Sequence, residues 1–252
     1  MILETRAVSK RFGGLQALKE ISFAIREGEI LGLIGPNGAG KTTLFNTING
    51  VFRPDKGRVI FRGEDLTGHP PWVAARRGMA RTYQIVRPLK ELTVLENVIA
   101  GACFGLHALS IGKAEDVAAE VLGMLGLAGH GRQPAGSLNV AEKKRLELAR
   151  SLAARPHLLL LDEVLAGLNP SEISGMVETI LKIRESGITI LMIEHVMQAV
   201  MKVSDRLIVL DDGELIAEGR PSEIMNNPRV VHAYLGDPRA AERLMSASAT
   251  KS

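Results

Sequence analysis

Apolar positions along the chain fall into two patterns. Residues 3–8 and 21–25 alternate or cluster apolar side chains over short stretches, which predicts strands of an antiparallel β-layer. Residues 30–34 and 158–161 are continuous apolar runs and 188–193 is apolar but for Thr189, the pattern of strands buried on both faces in a parallel sheet covered by helices. Residues 58–61 follow the turn Pro54-Asp55-Lys56-Gly57 as a further strand, and residues 79–84 read as a strand ending on Gln84. Residues 206–210 and 215–217, joined by Asp211-Asp212-Gly213-Glu214, predict a hairpin. Helical periodicity dominates from residue 92 to 155, with segments at 93–101, 113–127 and 141–153, the last stopped near Pro156. Pro70-Pro71 can start a short helix, another is expected from Ser222, and residues 240–252 read as a frayed tail. The order predicts an α/β core, preceded by the β-layer and interrupted by a helical subdomain.

The stretch that gives this pattern a chemistry is Gly35-Pro36-Asn37-Gly38-Ala39-Gly40-Lys41-Thr42-Thr43, between the run 30–34 and Leu44-Phe45-Asn46. It matches G-x-x-x-x-G-K-[ST] in the strand–loop–helix setting that a phosphate-binding loop requires. Gly35, Gly38 and Gly40 let consecutive N–H groups face phosphate oxygens, on the expectation that a side chain there would block the approach. Lys41 supplies a point charge for the outer phosphates, Thr42 a hydroxyl for Mg²⁺, and the following helix its positive end. Asp162 and Glu163 end the apolar run 158–161, where open α/β sheets place ligands. Asp162 suits a Mg²⁺ ligand through water, and Glu163 a group that orients or deprotonates an attacking water. Gln84 can reach Mg²⁺ or that water through its amide oxygen, or be a surface polar residue. His195 can donate a hydrogen bond to the terminal phosphate, or be an ordinary satisfied histidine. Phe12, on the expected loop 10–14, can stack on a purine or be plain core.

Composition narrows the partners. The chain has 252 residues, 46% hydrophobic and 23% charged, ordinary globular figures that argue against disorder. A net charge of +3 is too small to predict a nucleic-acid partner. One cysteine, Cys103, excludes an internal disulfide and suits a reducing compartment. No leader pattern is expected at residues 1–4, and no apolar run approaches the roughly 18 residues of a membrane span.

The order Phe12, phosphate loop, Gln84, helical insert, Asp162-Glu163 and His195 resembles the ATP-binding subunits of ABC transporters, over residues 3 to 236. Arg81-Thr82-Tyr83-Gln84, Leu92-Thr93-Val94-Leu95-Glu96-Asn97-Val98, Ala166-Gly167-Leu168-Asn169-Pro170, Ile193-Glu194-His195 and Ala233-Tyr234-Leu235-Gly236 look like the branched-chain amino-acid uptake branch. The resemblance implies a P-loop NTPase core of RecA-like, mainly parallel sheet in residues 1–91 and 155–220. A helical subdomain would occupy 92–154, and a C-terminal helix and tail 221–252. It implies ATP and Mg²⁺ sandwiched between two such subunits, paralogous or identical, at the cytoplasmic face of the cell membrane. It further implies two permease subunits, met by residues 85–92, and an extracytoplasmic solute-binding protein. Closure of the sandwich would drive the permeases, and hydrolysis would reset them.

The chain departs from the family where Leu138-Asn139-Val140-Ala141-Glu142 aligns with the signature Leu-Ser-Gly-Gly-Gln, the segment that contacts the partner's ATP. Asn139 is a good N-cap, and a glutamate three residues on can close a capping box, turning the Glu142 carboxylate toward its own helix. Pairing with a paralogue that carries a fuller signature would then leave two unequal ATP sites. Val164 stands where proline commonly follows the catalytic glutamate, and Asn169 where aspartate is common. Other solutes such as urea or amides, a soluble ABC protein and a phosphate-loop kinase are the competing readings. A non-catalytic regulator would be expected to lack Lys41 or Glu163, and both are present.

Overall fold

The structure, a computed structural model, describes residues 1–84 and 86–235. The chain runs β1 (Leu3–Phe12), β2 (Leu15–Ile25), β3 (Ile30–Ile34), α1 (Lys41–Ile48), β4 (Lys56–Phe61), β5 (Glu64–Asp65), α2 (Pro71–Arg76) and β6 (Met79–Arg81). It continues through α3 (Val94–Phe104), α4 (Ile111–Met124), α5 (Val140–Ala153), β7 (Leu158–Asp162), α6 (Pro170–Glu185) and β8 (Thr189–Ile193). It closes with α7 (Met197–Val203), β9 (Arg206–Asp211), β10 (Glu214–Gly219), α8 (Pro221–Met225) and α9 (Pro228–Leu235). Contacts divide it into two compact units, Met1–Pro71 with the chain from Thr189 onward, and Trp72–Ile188. Among the described residues no helix is long and apolar enough to cross a membrane.

The first unit holds both predicted kinds of strand. In β2, Ile21, Phe23 and Ile25 are buried and Ser22 is exposed, the alternation of a strand with one core face; β2, β1, β4 and β5 form an antiparallel sheet in that order. Every residue of β3 and β8 is buried; β3 pairs in parallel with both β8 and β9, and β10 closes that edge antiparallel to β9. The β1–β2 hairpin is longer than the apolar pattern suggests. It pairs Arg11 with Gln16 and Phe12 with Leu15, so Phe12 ends a strand and does not lie on a loop. Backbone pairing carries the ladder through polar positions that hydrophobic alternation cannot mark. Behind β9 and β10, buried Val200, Ile224, Val230 and Tyr234 of α7, α8 and α9 cover Val209 and Ala217. The chain therefore folds back as a helix, α9, between the expected short helix and the tail at 240–252, which lies outside the described residues.

Arg206, the first residue of β9, ties the layers of this unit together. Its Nε and Nη2 reach Glu29 Oε1 and Oε2 at 2.7 and 3.1 Å, and it also bonds the Ala24 carbonyl and Glu218. Burial alone would push the Glu29 carboxyl up; the Arg206 guanidinium and the Arg26 N–H outweigh it and hold the group below the ordinary carboxyl range. Such a group contributes stability that is full above its unfolded value and is lost as pH falls through its folded one. Arg206→Met leaves Glu29 buried without its guanidinium and should cost about 3 kcal/mol at neutral pH. Burial then dominates, the sign of the Glu29 contribution reverses, and the variant's deficit should narrow as pH falls toward about 4. Urea midpoints at the two pH values check this.

In the second unit β6 and β7 pair in parallel, with Met79 opposite Leu158 and Arg81 opposite Leu160. All five residues of β7 are buried. Strand β6 stops at Arg81, so Gln84 lies three residues beyond the strand that was expected to end on it. Thr93, Asn169 and Asn139 start α3, α6 and α5 with capping boxes, closed by Glu96, Glu172 and Glu142 at the third helical position.

Candidate functional site

In the first unit β3 delivers the chain into the loop 35–43 and α1 takes it away. Gly35 has φ 150° and Gly40 φ 100°, and a Cβ at either would stand 2.1 Å from the Leu210 carbonyl oxygen or 2.6 Å from that of Ala17. These two glycines are thus required by close packing of the loop on β9 and β2, a reason distinct from the expected approach of phosphate. A Cβ at Gly38, at the exposed crest, would meet nothing. The Gly213 N–H bonds the Ala39 carbonyl at 3.1 Å and the Lys19 N–H bonds the Gly213 carbonyl at 2.8 Å, so the β9–β10 turn braces the loop.

Lys41 is 6% exposed, and its Nζ donates to the Gly35 and Pro36 carbonyls at 2.7 and 2.8 Å. The ammonium is therefore folded back over the loop it belongs to. Thr42 is exposed and Thr43 half-buried in the first turn of α1. That turn has no acidic residue and no side-chain cap, whereas α3, α5 and α6 each place a glutamate there. The positive end of α1 is thus offset by no carboxylate of its own first turn.

Phe12 is 41% exposed; its ring meets Phe52 edge-on at 5.1 Å, and Lys10 Nζ lies 5.4 Å from its centroid. Asp55 fixes this strand end by accepting from Lys10 Nζ and the Arg11 N–H at 3.1 and 2.6 Å. The open part of the ring is a platform for a planar base. His195 is half-buried in the turn between β8 and α7, after the buried Glu194.

In the second unit β7 ends on Asp162, whose Oδ2 accepts from Arg81 Nη2 at 2.7 Å, both side chains being 4% exposed. The Asp162 N–H donates to Thr82 Oγ1 at 3.1 Å. Glu163 follows with φ 51°, in the left-handed region, and its Oε2 accepts from Gln84 Nε2 at 2.6 Å. The structure brings Gln84 and Glu163 into direct contact. The N–H side of the Gln84 amide faces the carboxylate. Lys144 Nζ donates to the Glu163 carbonyl at 2.9 Å, and Glu147 accepts the Tyr83 N–H at 2.6 Å. Burial pushes the Glu147 carboxyl up, offset in part by that N–H and by Arg150 and Lys144.

The donor set fits Mg²⁺. Each unit by itself carries hard oxygen donors: the first the Thr42 hydroxyl, the second the Gln84 amide oxygen and Asp162 Oδ1 beside the oxygen held by Arg81. Among the described residues no group of three His, Cys, Asp or Glu forms a cage. Few hard protein ligands, completed by phosphates and waters, is the usual Mg²⁺ arrangement.

The segment 138–142 carries the expected cap. Asn139 Oδ1 accepts the Glu142 N–H and Glu142 Oε2 accepts the Asn139 N–H, both at 2.9 Å, so the carboxylate turns onto its own helix. Leu138 is buried, Ala141 half-buried, and Val140 61% exposed. Arg81, as the partner of Asp162, and the buried Lys144 and Glu147 are absent from the sequence-based site. Lys144 and Glu147 are signalled only as polar residues on the buried face of α5, and nothing in the sequence marks Arg81 for that role.

The ABC transporter family profile matches residues 18–166, and that of the branched-chain amino acid ATP-binding cassette transporters matches residues 214–240. The high-affinity branched-chain amino acid transport ATP-binding protein LivG of Salmonella typhimurium is 42% identical over 250 residues, 94% of this chain and 98% of the relative. The crystal structure of the ADP conformation of MJ1267, an ATP-binding cassette of an ABC transporter, superposes with a TM-score of 0.84 at 34% identity, covering 94% of this chain and 99% of that one. A dimeric post-hydrolysis structure of the cassette MJ0796 bound to ADP and Pi gives 0.78 at 26% identity, covering 87% and 99%.

Proposed function

The chain belongs to the ATP-binding family of ABC transporters, and from that premise we propose that it is the ATP-hydrolysing subunit of an importer of branched-chain amino acids. The observation that carries this reading is the uncapped, acid-free start of α1 behind a loop closed by Lys41. The solute class rests on the LivG relatives and on the match at residues 214–240.

Phe12 stacks on the adenine, residues 35–43 wrap the phosphates, and Lys41 neutralises the outer ones. Thr42 of the first unit and Gln84 and Asp162 of the second are the residues that would hold Mg²⁺, which would supply charge to offset that of the transferred phosphoryl group. Glu163, aligned by Gln84, orients and deprotonates the attacking water, and His195 donates a hydrogen bond to the terminal phosphate. A second cassette pairs with this one, a reading supported by the dimeric MJ0796 cassette, and residues 138–142 meet the ATP of that second cassette. Two permease subunits anchor the pair at the cytoplasmic face of the membrane, and an extracytoplasmic protein delivers the solute.

Because Glu142 already serves the N-terminus of α5, the signature segment offers its ATP a helix end offset by a negative charge. Glu142→Gln keeps an oxygen for the Asn139 N–H and removes the charge. In an assembled dimer whose own loop is silenced by Lys41→Met, the site facing this segment should bind ATP about three- to tenfold more tightly. Unchanged affinity would mean that the segment faces no phosphate.

Copurifying the chain with its permease subunits, reconstituting them in vesicles and adding the loaded binding protein tests the whole reading. Leucine, isoleucine or valine should stimulate ATP hydrolysis several-fold. Stimulation by urea or short amides alone would replace the solute, and ATP hydrolysis indifferent to every solute would remove the import function.

A further inference from the structure

Helix α5 begins at the signature segment and carries three buried polar residues on one face. Lys144, Glu147 and Ser151, at i, i+3 and i+7, are 8%, 4% and 8% exposed. Each meets the backbone of a site segment: Lys144 Nζ the Glu163 carbonyl at 2.9 Å, Glu147 the Tyr83 N–H at 2.6 Å, and Ser151 Oγ the Arg81 carbonyl at 3.1 Å. Apolar residues at these positions would bury without the desolvation penalty that an ammonium and a carboxylate carry. What the polar set supplies is directional bonding, and all three bonds go to residues adjoining Asp162, Glu163 or Gln84.

The Glu163 end of this ladder is the one under strain. With φ 51°, Glu163 holds a left-handed conformation that a side chain bearing a Cβ disfavours and that lasts only where its surroundings determine it. Lys144 grips its carbonyl and Gln84 its carboxylate. We propose that Lys144 is a positioning residue for hydrolysis: its ammonium holds the Glu163 peptide in the left-handed conformation that turns the carboxylate to Gln84. Lys144 stands on α5, the helix that begins within segment 138–142. The inference rests on the reading of Glu163 as the group that activates water.

Lys144→Met keeps the stem and removes the donor. In the full chain assembled with its partners, kcat for ATP should fall about ten- to a hundredfold, with KM and Mg-ATP affinity within about twofold of wild type. Lys144→Arg, which keeps a charged donor, should recover most of kcat. Added to Glu163→Gln, Lys144→Met should cost nothing more, because the group it positions is already disabled; a general loss of packing would add. Should the methionine chain fail to fold, Lys144→Leu, which likewise has no donor, is the second variant, and it too must lose kcat and keep affinity. Normal kcat in Lys144→Met beside an inactive Glu163→Gln overturns the Lys144 role alone. Full turnover in Glu163→Gln overturns the reading of Glu163 beneath it.

Discussion

Glu163→Gln should reduce ATP turnover by about two to three orders of magnitude while Mg-ATP still binds, the span that a positioned general base contributes. The amide is nearly isosteric, so the packing at the end of β7 and the contact with Gln84 can persist. What disappears is the basic oxygen that takes the proton from water. The split between turnover and affinity distinguishes this from unfolding, since the loop 35–43 and its brace at Gly213 belong to the other compact unit. In the assembled transporter the loss should exceed that caused by the equivalent change in a paralogous partner, because the partner's site faces the signature segment whose helix end Glu142 already occupies. Equal losses would refute the inequality of the two sites.

Lys41→Met should weaken Mg-ATP binding by about a hundredfold or more, about 2.7 kcal/mol or above, the range for losing a charge-assisted hydrogen bond together with a point charge at the outer phosphates. The loop itself should survive. Gly35 and Gly40 are fitted against the Leu210 and Ala17 carbonyls, and the Gly213 N–H holds Ala39 independently of the lysine. Lys41 does close the loop through the Gly35 and Pro36 carbonyls, so a drop of a few degrees in melting temperature is expected. A hundredfold loss of affinity with a near-normal melting temperature separates a ligand-binding role from a structural one.

What could be read from the sequence was local. Strands β3, β7 and β8 appear as largely apolar runs because both faces are covered, and the capping box at Asn139 and Glu142 follows from a spacing of three. The phosphate loop is legible because its chemistry fits within nine consecutive residues. Pairings between distant residues left no such trace. Arg81 and Asp162 are separated by 81 positions, and Lys144 and Glu163 by 19, with no periodicity to link them. Helix α9 could have been read as well, since its buried anchors Val230 and Tyr234 stand at the i, i+4 spacing of one helical face. The glycines were found for an incomplete reason, since contacts with β9 and β2 require a fold before they can be stated.

The most direct test of the account is a calorimetric titration of Mg-ATP into the purified full chain, run beside Lys41→Met and Glu163→Gln. One nucleotide per chain should bind to the wild type and to Glu163→Gln, and the heat should vanish at the same concentrations in Lys41→Met. No saturable binding to the wild type, or equal binding to Lys41→Met, would contradict it.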